Sequence, residues 1–224
     1  MLIRMTPVLL HIDASPRRRS TSRRVSAAYA EAWRGAHPDG AVLRRDLGRD
    51  PLPPVDEAWT EVDEIVIGEG LTDLDAIAAR LTEPAHRTSF WLTRELVDEL
   101  LAADVVLIGT PMYNWSIPAQ LKAWIDRVTF PWLPLAGKRA VVATARAGAY
   151  GPGSPREGLD LQEPYLRQWF GRLGVRDVAF LHSELTFAGV VPALERFGRA
   201  RDASHAAALE RARELGGRAV GAAA

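Results

Sequence analysis

The chain has 224 residues, with 28 basic and 28 acidic side chains and no cysteine. This composition excludes disulfides, a thiolate nucleophile and cysteine-bound metal, and a zero net charge gives no global field for nucleic acid or an anionic membrane. The length predicts one domain over residues 1–224. The N-terminal apolar run is too short for a signal peptide or a membrane span, so we expect a cytoplasmic protein without nucleic-acid or membrane partners.

The first predicted strand is a short apolar run from Val8 to Ile12, which leads into a loop with the sequence DASPRRRSTSRR. Apolar residues at helical spacing follow, so this loop opens a helix. Backbone N–H groups at a helix N-terminus, the helix dipole and nearby hydroxyls together favour an anion. The alternative is that one hydroxyl caps the helix and the others are solvated. The candidate donors are Ser15, Ser20, Thr21 and Ser22.

The next elements lie between residues 41 and 103. Residues 41–45 predict a second strand, which we place at an edge of the sheet because it carries two arginines. Residues 59–83 show a mainly helical pattern that is interrupted around Gly68 and Gly70. Residues 87–103 predict an amphipathic helix, because their apolar side chains recur at helical spacing.

The stretch from Asp104 to Val128 carries the clearest pattern in the chain. It begins with a continuous apolar, β-branched run, which is typical of a strand covered on both faces of a parallel sheet. The loop TPMYNW follows, and then a helix with Ser116 as its predicted N-cap and Pro118 in its first turn. Parallel sheets of this kind bind ligands at the carboxyl ends of their strands, so this loop is a candidate site.

The remaining elements complete the predicted fold. Residues 138–145 and 176–182 read as strands, and residues 159–173 and 203–220 as helices. Five strands that alternate with helices predict an α/β, doubly wound, parallel sheet. If the first strand is central, the order is the flavodoxin-like 2-1-3-4-5, and the loops after strands 1, 3 and 4 meet at one edge of the sheet.

Other signatures of chemistry are absent from the sequence. It contains no G-x-G-x-x-G after the first strand, and no G-x-x-x-x-G-K-[ST], H-E-x-x-H or G-x-S-x-G motif. We interpret His11 and His182 as structural residues, because a core imidazole readily finds a hydrogen-bond partner. The sequence therefore predicts no metal site, and we assign no catalytic acid or base.

Four segments together resemble the FMN-dependent NADH-azoreductases, a branch of the flavodoxin-fold NAD(P)H:quinone oxidoreductases. They are PMYNW with SIPAQLKAWIDRV, DASPRRRSTSRR, RDLGRDPLP and TARAGAYG. The resemblance implies three groups of FMN-binding residues: Ser15, Ser20, Thr21 and Ser22 at the phosphate, Pro111, Met112, Tyr113, Asn114 and Trp115 along the isoalloxazine ring, and Arg146, Ala147 and Gly148 at its pyrimidine end.

The same resemblance implies an enzyme with FMN as its cofactor. It would take hydride from NADH or NADPH and pass it to a quinone or azo acceptor in a ping-pong order. It also implies a homodimer, whose interface would suit Trp115, Trp124 and Trp132. Two alternatives stay open: a flavodoxin-type electron carrier, and a family member that has lost FMN and serves one particular pathway.

The chain departs from the family pattern in two places. Ala145 and Ala147 stand where the family has a serine and a glycine, and alanine tolerates positive φ less well than glycine does. The loop at residues 129–137 is shorter than its family counterpart and lacks a glycine-rich hairpin. Because that loop shapes the substrate side in the family, the acceptor is the property that the resemblance defines least. Residues 59–91 also depart from the family pattern and are a candidate replacement lid.

Overall fold

The computed structural model describes residues 6–129 and 134–219. Five strands in this part of the chain form an all-parallel sheet in the order β2-β1-β3-β4-β5, which confirms the predicted topology. The strands are β1 Val8–Asp13, β2 Ala41–Asp46, β3 Val105–Pro111, β4 Arg139–Ala145 and β5 Asp177–Ser183. The strand with two arginines, β2, lies at an edge.

Helices cover both faces of the sheet. They are α1 Thr21–Ala36, α2 Glu57–Glu69, α3 Leu74–Arg80, α4 Pro84–Ala102, α5 Ala119–Val128, α6 Gln162–Arg172 and α7 Gly198–Gly216. Two short 3₁₀ helices, Thr186–Gly189 and Pro192–Phe197, connect β5 to α7. None of the helices in the described ranges combines the length and the apolar character that a membrane span requires.

The start of α5 differs from the prediction. Pro118, not Ser116, is the N-cap residue. The reason is that Ser116 belongs to a tight turn, where its backbone exchanges two hydrogen bonds of 3.0 Å with Tyr113. Pro118 then fits the position at which a helix begins, because it has no N–H group to satisfy.

The helices α6 and α7 also begin at other residues than the sequence predicted. The α6 helix begins at Gln162 rather than at residue 159, because the Asp160 carboxylate accepts hydrogen bonds from the N–H groups of Gln162 and Glu163, at 2.8 and 3.1 Å. The α7 helix begins at Gly198, five residues before its predicted start. The sequence did not indicate this first turn because the turn is polar and carries no hydrophobic periodicity. The α7 helix ends at Gly216.

The core has two layers, one on each face of the sheet. Alternate residues of β1 point to opposite faces, so Leu10 packs with α4, α5 and α6, whereas Leu9 packs with α1 and α7. Trp124 is fully buried in the first layer, with its ring centroid 5.6 Å from that of Trp169. The expected interface role of Trp124 is therefore wrong, and Trp132 lies outside the described residues.

The loop after β2 packs tightly on the loop after β1. A Cβ atom added to Gly48 would lie 2.0 Å from the backbone oxygen of Ser15, so this contact requires glycine. The guanidinium of Arg23 reinforces it, because Nε donates to the same Ser15 oxygen at 3.0 Å and Nη1 donates to Asp46 at 2.7 Å. The position of the first loop thus depends on β2 and its loop.

We predict that Gly48→Ala lowers the free energy of unfolding by about 3 kcal/mol, because the new methyl group forces the Ser15 backbone to move. The matched control is Gly35→Ala in α1, where a Cβ meets no atom within 4 Å. This control should be neutral or stabilising by up to about 1 kcal/mol. Urea unfolding of the two variants measures the difference, and equal stabilities would contradict the prediction.

Candidate functional site

A cavity of about 440 Å³ lies at the carboxyl ends of the strands. The loops after β1, β3 and β4 line it, as the predicted topology requires, and the loop after β5 with α7 forms a further wall. Its volume falls within the range of about 300–1,000 Å³ that is usual for small-molecule sites. The lining residues are Ser15, Arg17, Arg19, Ser20, Thr21, Arg24, Pro111, Met112, Tyr113, Ala145, Ala147, Ser183, Thr186, Phe187, Gly189, Val190, Arg201, Asp202 and His205.

Backbone hydrogen bonds across the sheet hold the loops at this edge in register. Ala14 N–H donates to the Gly109 oxygen at 2.8 Å, Met112 N–H donates to the Ala145 oxygen at 2.9 Å, and Arg146 N–H donates to the Ser183 oxygen at 2.9 Å. Each bond continues a strand ladder by one step into the loop. The relative positions of the loops are therefore set by main-chain contacts, which do not depend on the side chains that line the cavity.

One end of the cavity is suited to an anion. The α1 helix begins there at Thr21, and the N–H groups of its first turn have no partner within the helix. Ser20 is the N-cap residue, but its Oγ lies 2.9 Å from Ser22 Oγ and does not cap the helix. The alternative that the Ser20 hydroxyl caps the helix is therefore wrong. Three arginines of the same segment also line the cavity: Arg17, Arg19 and Arg24.

A network of charged side chains around the buried Asp13 lies next to the first loop. Asp13, at the end of β1, lies 3.4 Å from Arg23 and 3.2 Å from Arg44, and it accepts a hydrogen bond of 3.0 Å from Ser26. Burial raises the pKa of Asp13, but His11 and Arg23 outweigh this effect and hold the pKa below its ordinary value. Asp13 therefore stays charged and links β1, α1 and β2 beneath the loop.

The loop after β3 forms the apolar end of the cavity. Tyr113 and Ser116 close a two-residue turn, in which Asn114 and Trp115 have φ angles of 45° and 67°. Positive φ at both central positions is the type I′ geometry, which glycine or asparagine usually supplies and which is costly for tryptophan. Backbone strain of this kind persists only where the surrounding structure holds it.

A buried glutamine holds this turn. The side-chain N–H of Gln162 donates to the Pro111 oxygen at 2.9 Å and lies 3.4 Å from the Ser116 oxygen. Nearby, Leu161 N–H donates to the Trp115 oxygen at 2.9 Å. The start of α6 is thus fastened to Trp115 and Ser116 in the turn and to Pro111 before it, and Gln162 is completely buried.

The loop after β4 contributes backbone to the cavity and turns its arginine away. The Arg146 guanidinium is buried in a second, smaller depression, 2.8 Å from Asp160 and 3.6 Å from both Glu163 and Glu184. A hydrogen bond from His182 to Glu163 lowers the pKa of that carboxyl to about 2. Charge therefore anchors this loop from its far side.

The structure places seven of the twelve predicted residues on the cavity wall: Ser15, Ser20, Thr21, Pro111, Met112, Tyr113 and Ala147. The side chain of Arg146 faces the other way. Asn114 and Trp115 are exposed at the tip of their turn, and Gly148 packs against Arg156. Ser22 is buried behind Ser20.

Sequence reasoning missed the arginines of the first loop and the whole wall after β5. The arginines were visible as RRRSTSRR, where only the hydroxyls had been considered. The wall after β5 could have been found from topology alone, since the carboxyl end of β5 lies at the same edge of the sheet. From α7, the residues that reach the cavity are Arg201, Asp202 and His205.

Comparison with known proteins agrees with this geometry. A family model described as a flavodoxin-like fold matches residues 8–214. An FMN-dependent NADH:quinone oxidoreductase of Nocardia farcinica is 53% identical over 211 residues, which cover 94% of this chain and 98% of the relative. A second relative of that description, from Frankia casuarinae, is 40% identical over 201 residues, which cover 85% of this chain and 90% of the relative.

Solved structures share the fold at lower identity. An azoreductase from Bacillus anthracis superimposes with a TM-score of 0.76 at 22% identity, covering 95% of this chain and 99% of the other. An FMN-dependent NADH-azoreductase from the same organism, solved in complex with FMN, gives a TM-score of 0.74 at 20% identity, with 93% and 99% covered. The chain thus has the fold of the flavodoxin-like proteins. Within them, it belongs to the family of FMN-dependent NADH:quinone oxidoreductases.

The cavity fits the cofactor that this family name implies. FMN joins a phosphate dianion to a large aromatic ring system. The cavity offers a helix N-terminus with hydroxyls and arginines at one end, and Met112 and Tyr113 at the other. No described side chain fills the space between them, since the cavity keeps its 440 Å³. Ser20 and Thr21 would hold the phosphate, and the loop after β3 would hold the ring.

We predict that the free energy of unfolding of the Trp115→Gly variant is about 1 kcal/mol higher than that of the Trp115→Ala variant. Both changes remove the same half-exposed indole ring, but only glycine adopts the positive φ of this position without a steric cost. Chemical denaturation of the two variants under identical conditions measures the difference. A Trp115→Ala protein at least as stable as Trp115→Gly would show that the turn is not strained.

Proposed function

We propose that the protein is an oxidoreductase that uses FMN to move two electrons from NADH to a quinone or azo acceptor. Family membership supports the class of reaction. The observation that carries the proposal is one cavity that combines a basic, hydroxyl-lined end with an aromatic end at the carboxyl edge of the sheet. The two ends match the two chemically different halves of FMN.

When bound, FMN supplies the hydride chemistry itself, as flavins do in general. The protein's part is to bind, orient and shield. Ser15, Ser20 and Thr21 would donate to the phosphate together with the α1 N-terminus, and Arg17, Arg19 and Arg24 would neutralise its charge. Pro111, Met112 and Tyr113 would line the ring, and Gln162 would keep this loop in place through its contacts with the Pro111 and Ser116 oxygens.

We further propose a ping-pong order, in which NADH leaves before the acceptor enters. In the described part of the chain, one cavity would hold the ring system, so the donor and the acceptor would use it in turn. We propose NADH rather than NADPH as the hydride donor, because the two relatives are named as NADH:quinone oxidoreductases. The identity of the acceptor and the cytoplasmic location stay predictions, and residues 130–133 of the shortened loop lie outside the described part of the chain.

The charge of the cavity rim argues against an electron carrier. Among the described residues that line the cavity, Asp202 is the only one with a carboxylate, whereas four are arginines. A carrier that docks to redox partners is expected to have an acidic rim around its flavin. The rim here instead suits an anionic nucleotide. The open cavity likewise does not support the alternative that the protein has lost its flavin.

The direct test is to reconstitute the purified protein with FMN and to follow anaerobic NADH oxidation with and without benzoquinone. We expect a yellow protein whose bound FMN is reduced by NADH and reoxidised by the quinone. In Ser20→Ala, FMN should bind about tenfold more weakly, because one charge-assisted hydrogen bond to the phosphate is lost. Riboflavin, which has no phosphate, should bind as in the wild type.

The matched control for Ser20→Ala is Thr60→Ala, which removes an exposed hydroxyl from α2 on another part of the molecule. It should leave the affinities for FMN and riboflavin unchanged. A wild-type protein that binds neither flavin would refute the proposed function. If Ser20→Ala lost affinity for both flavins equally, the result would show that the phosphate does not bind at this end of the cavity.

We propose that the protein is a homodimer that uses the apolar surface beside the strained turn. Trp115 is 49% exposed, and Leu161, whose N–H donates to the Trp115 oxygen, is 58% exposed. Leu159 and Tyr113 extend the same surface. Large apolar side chains clustered beside a ligand cavity are typical of interfaces.

We therefore expect the double variant Leu159→Glu/Leu161→Glu to sediment as a monomer at micromolar concentration, where the wild type sediments as a dimer. Two buried glutamates would leave unpaired charges in the interface. The control is Ile67→Glu, because Ile67 is 64% exposed on α2. A monomeric wild type, or a dimer in all three proteins, would contradict the proposed surface.

A further inference from the structure

His205, on α7, lines the same cavity as Ser20 and Thr21 at the α1 N-terminus, and no sequence pattern pointed to it. Two adjacent residues of α7 fix its position at the end of β5. Ser204 Oγ accepts a hydrogen bond from Glu184 N–H at 3.0 Å, and His205 Nδ1 lies 3.1 Å from Ser183 Oγ. Because Nδ1 is engaged by Ser183, Nε2 is the ring nitrogen that can meet a ligand in the cavity.

Several charged groups surround this imidazole. Arg24 approaches from α1, and Arg201 and Asp202 lie on α7 itself, where Arg201 Nη2 is 2.8 Å from Asp202. Glu184 directly follows β5, but its carboxylate lies 3.6 Å from Arg146. Burial, and then the charge of Arg24, lower the pKa of His205 below its ordinary value. In the protein alone, His205 is therefore neutral at pH 7.

We propose that His205 is a phosphate-binding residue that takes up a proton when FMN binds, so that protonation and cofactor loading are coupled. This inference rests on the proposed function. A phosphate dianion at the α1 N-terminus would reverse the local charge that Arg24 now imposes. The protonated ring would then donate from Nδ1 to Ser183 and from Nε2 to the anion. Riboflavin offers no such anion and should not draw the proton.

The direction of the pH dependence follows from linkage. If the bound phosphate raises the pKa of His205, the gain in FMN affinity is fully present below the pKa of the free protein. The gain is lost as the pH rises through the higher pKa of the complex. Each unit of difference between the two pKa values is worth a factor of ten in affinity. The phosphate's own ionisation near pH 6 acts in the opposite direction, but it is the same in every variant.

The experiment measures the dissociation constants of FMN and riboflavin from the apoprotein between pH 5.5 and 8.5, for the wild type and His205→Gln. At pH 5.5, the wild type should bind FMN about tenfold more tightly than His205→Gln, and at pH 8.5 the two should be equal. Riboflavin should bind both proteins alike at every pH. Calorimetry in two buffers of different ionisation enthalpy should show greater proton uptake by the wild type with FMN.

Two further variants make the result specific. His205→Lys carries a permanent charge, so it should bind FMN tightly at pH 8.5 as well, without proton uptake. His86→Gln removes a histidine that pairs with Glu61 on the α2–α4 side of the molecule, and it should behave as the wild type. A pH-independent ratio of wild type to His205→Gln overturns the inference and leaves the proposed function intact. A wild type that binds neither flavin refutes both.

Discussion

The cavity depends above all on the contact between Arg23 and the carbonyl oxygen of Ser15. The guanidinium holds that oxygen and the Asp46 carboxylate together, so it fixes the first loop against the edge strand β2. Gly48 is pressed against the same oxygen, and a side chain there has no room. Without this contact, the hydroxyls of the first loop that line the cavity would have no fixed position, because the loop itself is exposed over residues 16–19.

A common feature of the other loops is that their anchoring side chains face away from the cavity. Arg146 sits among three carboxylates on the far side of its loop, and Gln162 holds the strained turn from beneath. The side chains that line the cavity from these loops, such as Met112, Tyr113 and Ala147, carry no charge. This division suits a cofactor that brings its own chemistry. The chain then has to supply rigid hydrogen-bond donors rather than an acid or a base.

The fold was predictable because its signals are local and strong. The continuous apolar strands, the helical spacing around Trp124 and the prolines near helix starts all follow rules that act over a few residues. The hydroxyls at one end of the cavity were predictable for the same reason, since a hydroxyl-rich loop directly precedes α1. The tight turn at Tyr113 was not, because Asn-Trp is an unusual pair for positive φ, and its stability comes from Gln162, about fifty residues further along the chain.

The α7 wall shows why the site could not be completed from sequence. Its polar beginning has no hydrophobic periodicity, so even the start of the helix was placed too late. The position of His205 depends on contacts with Ser183 and on the packing of Ala208 and Ala212 against α1, none of which is local. Only when β5 is placed beside β4 does this helix approach the first loop. The two helices, far apart in the chain, then line the same cavity, where burial and the charge of Arg24 together lower the pKa of His205.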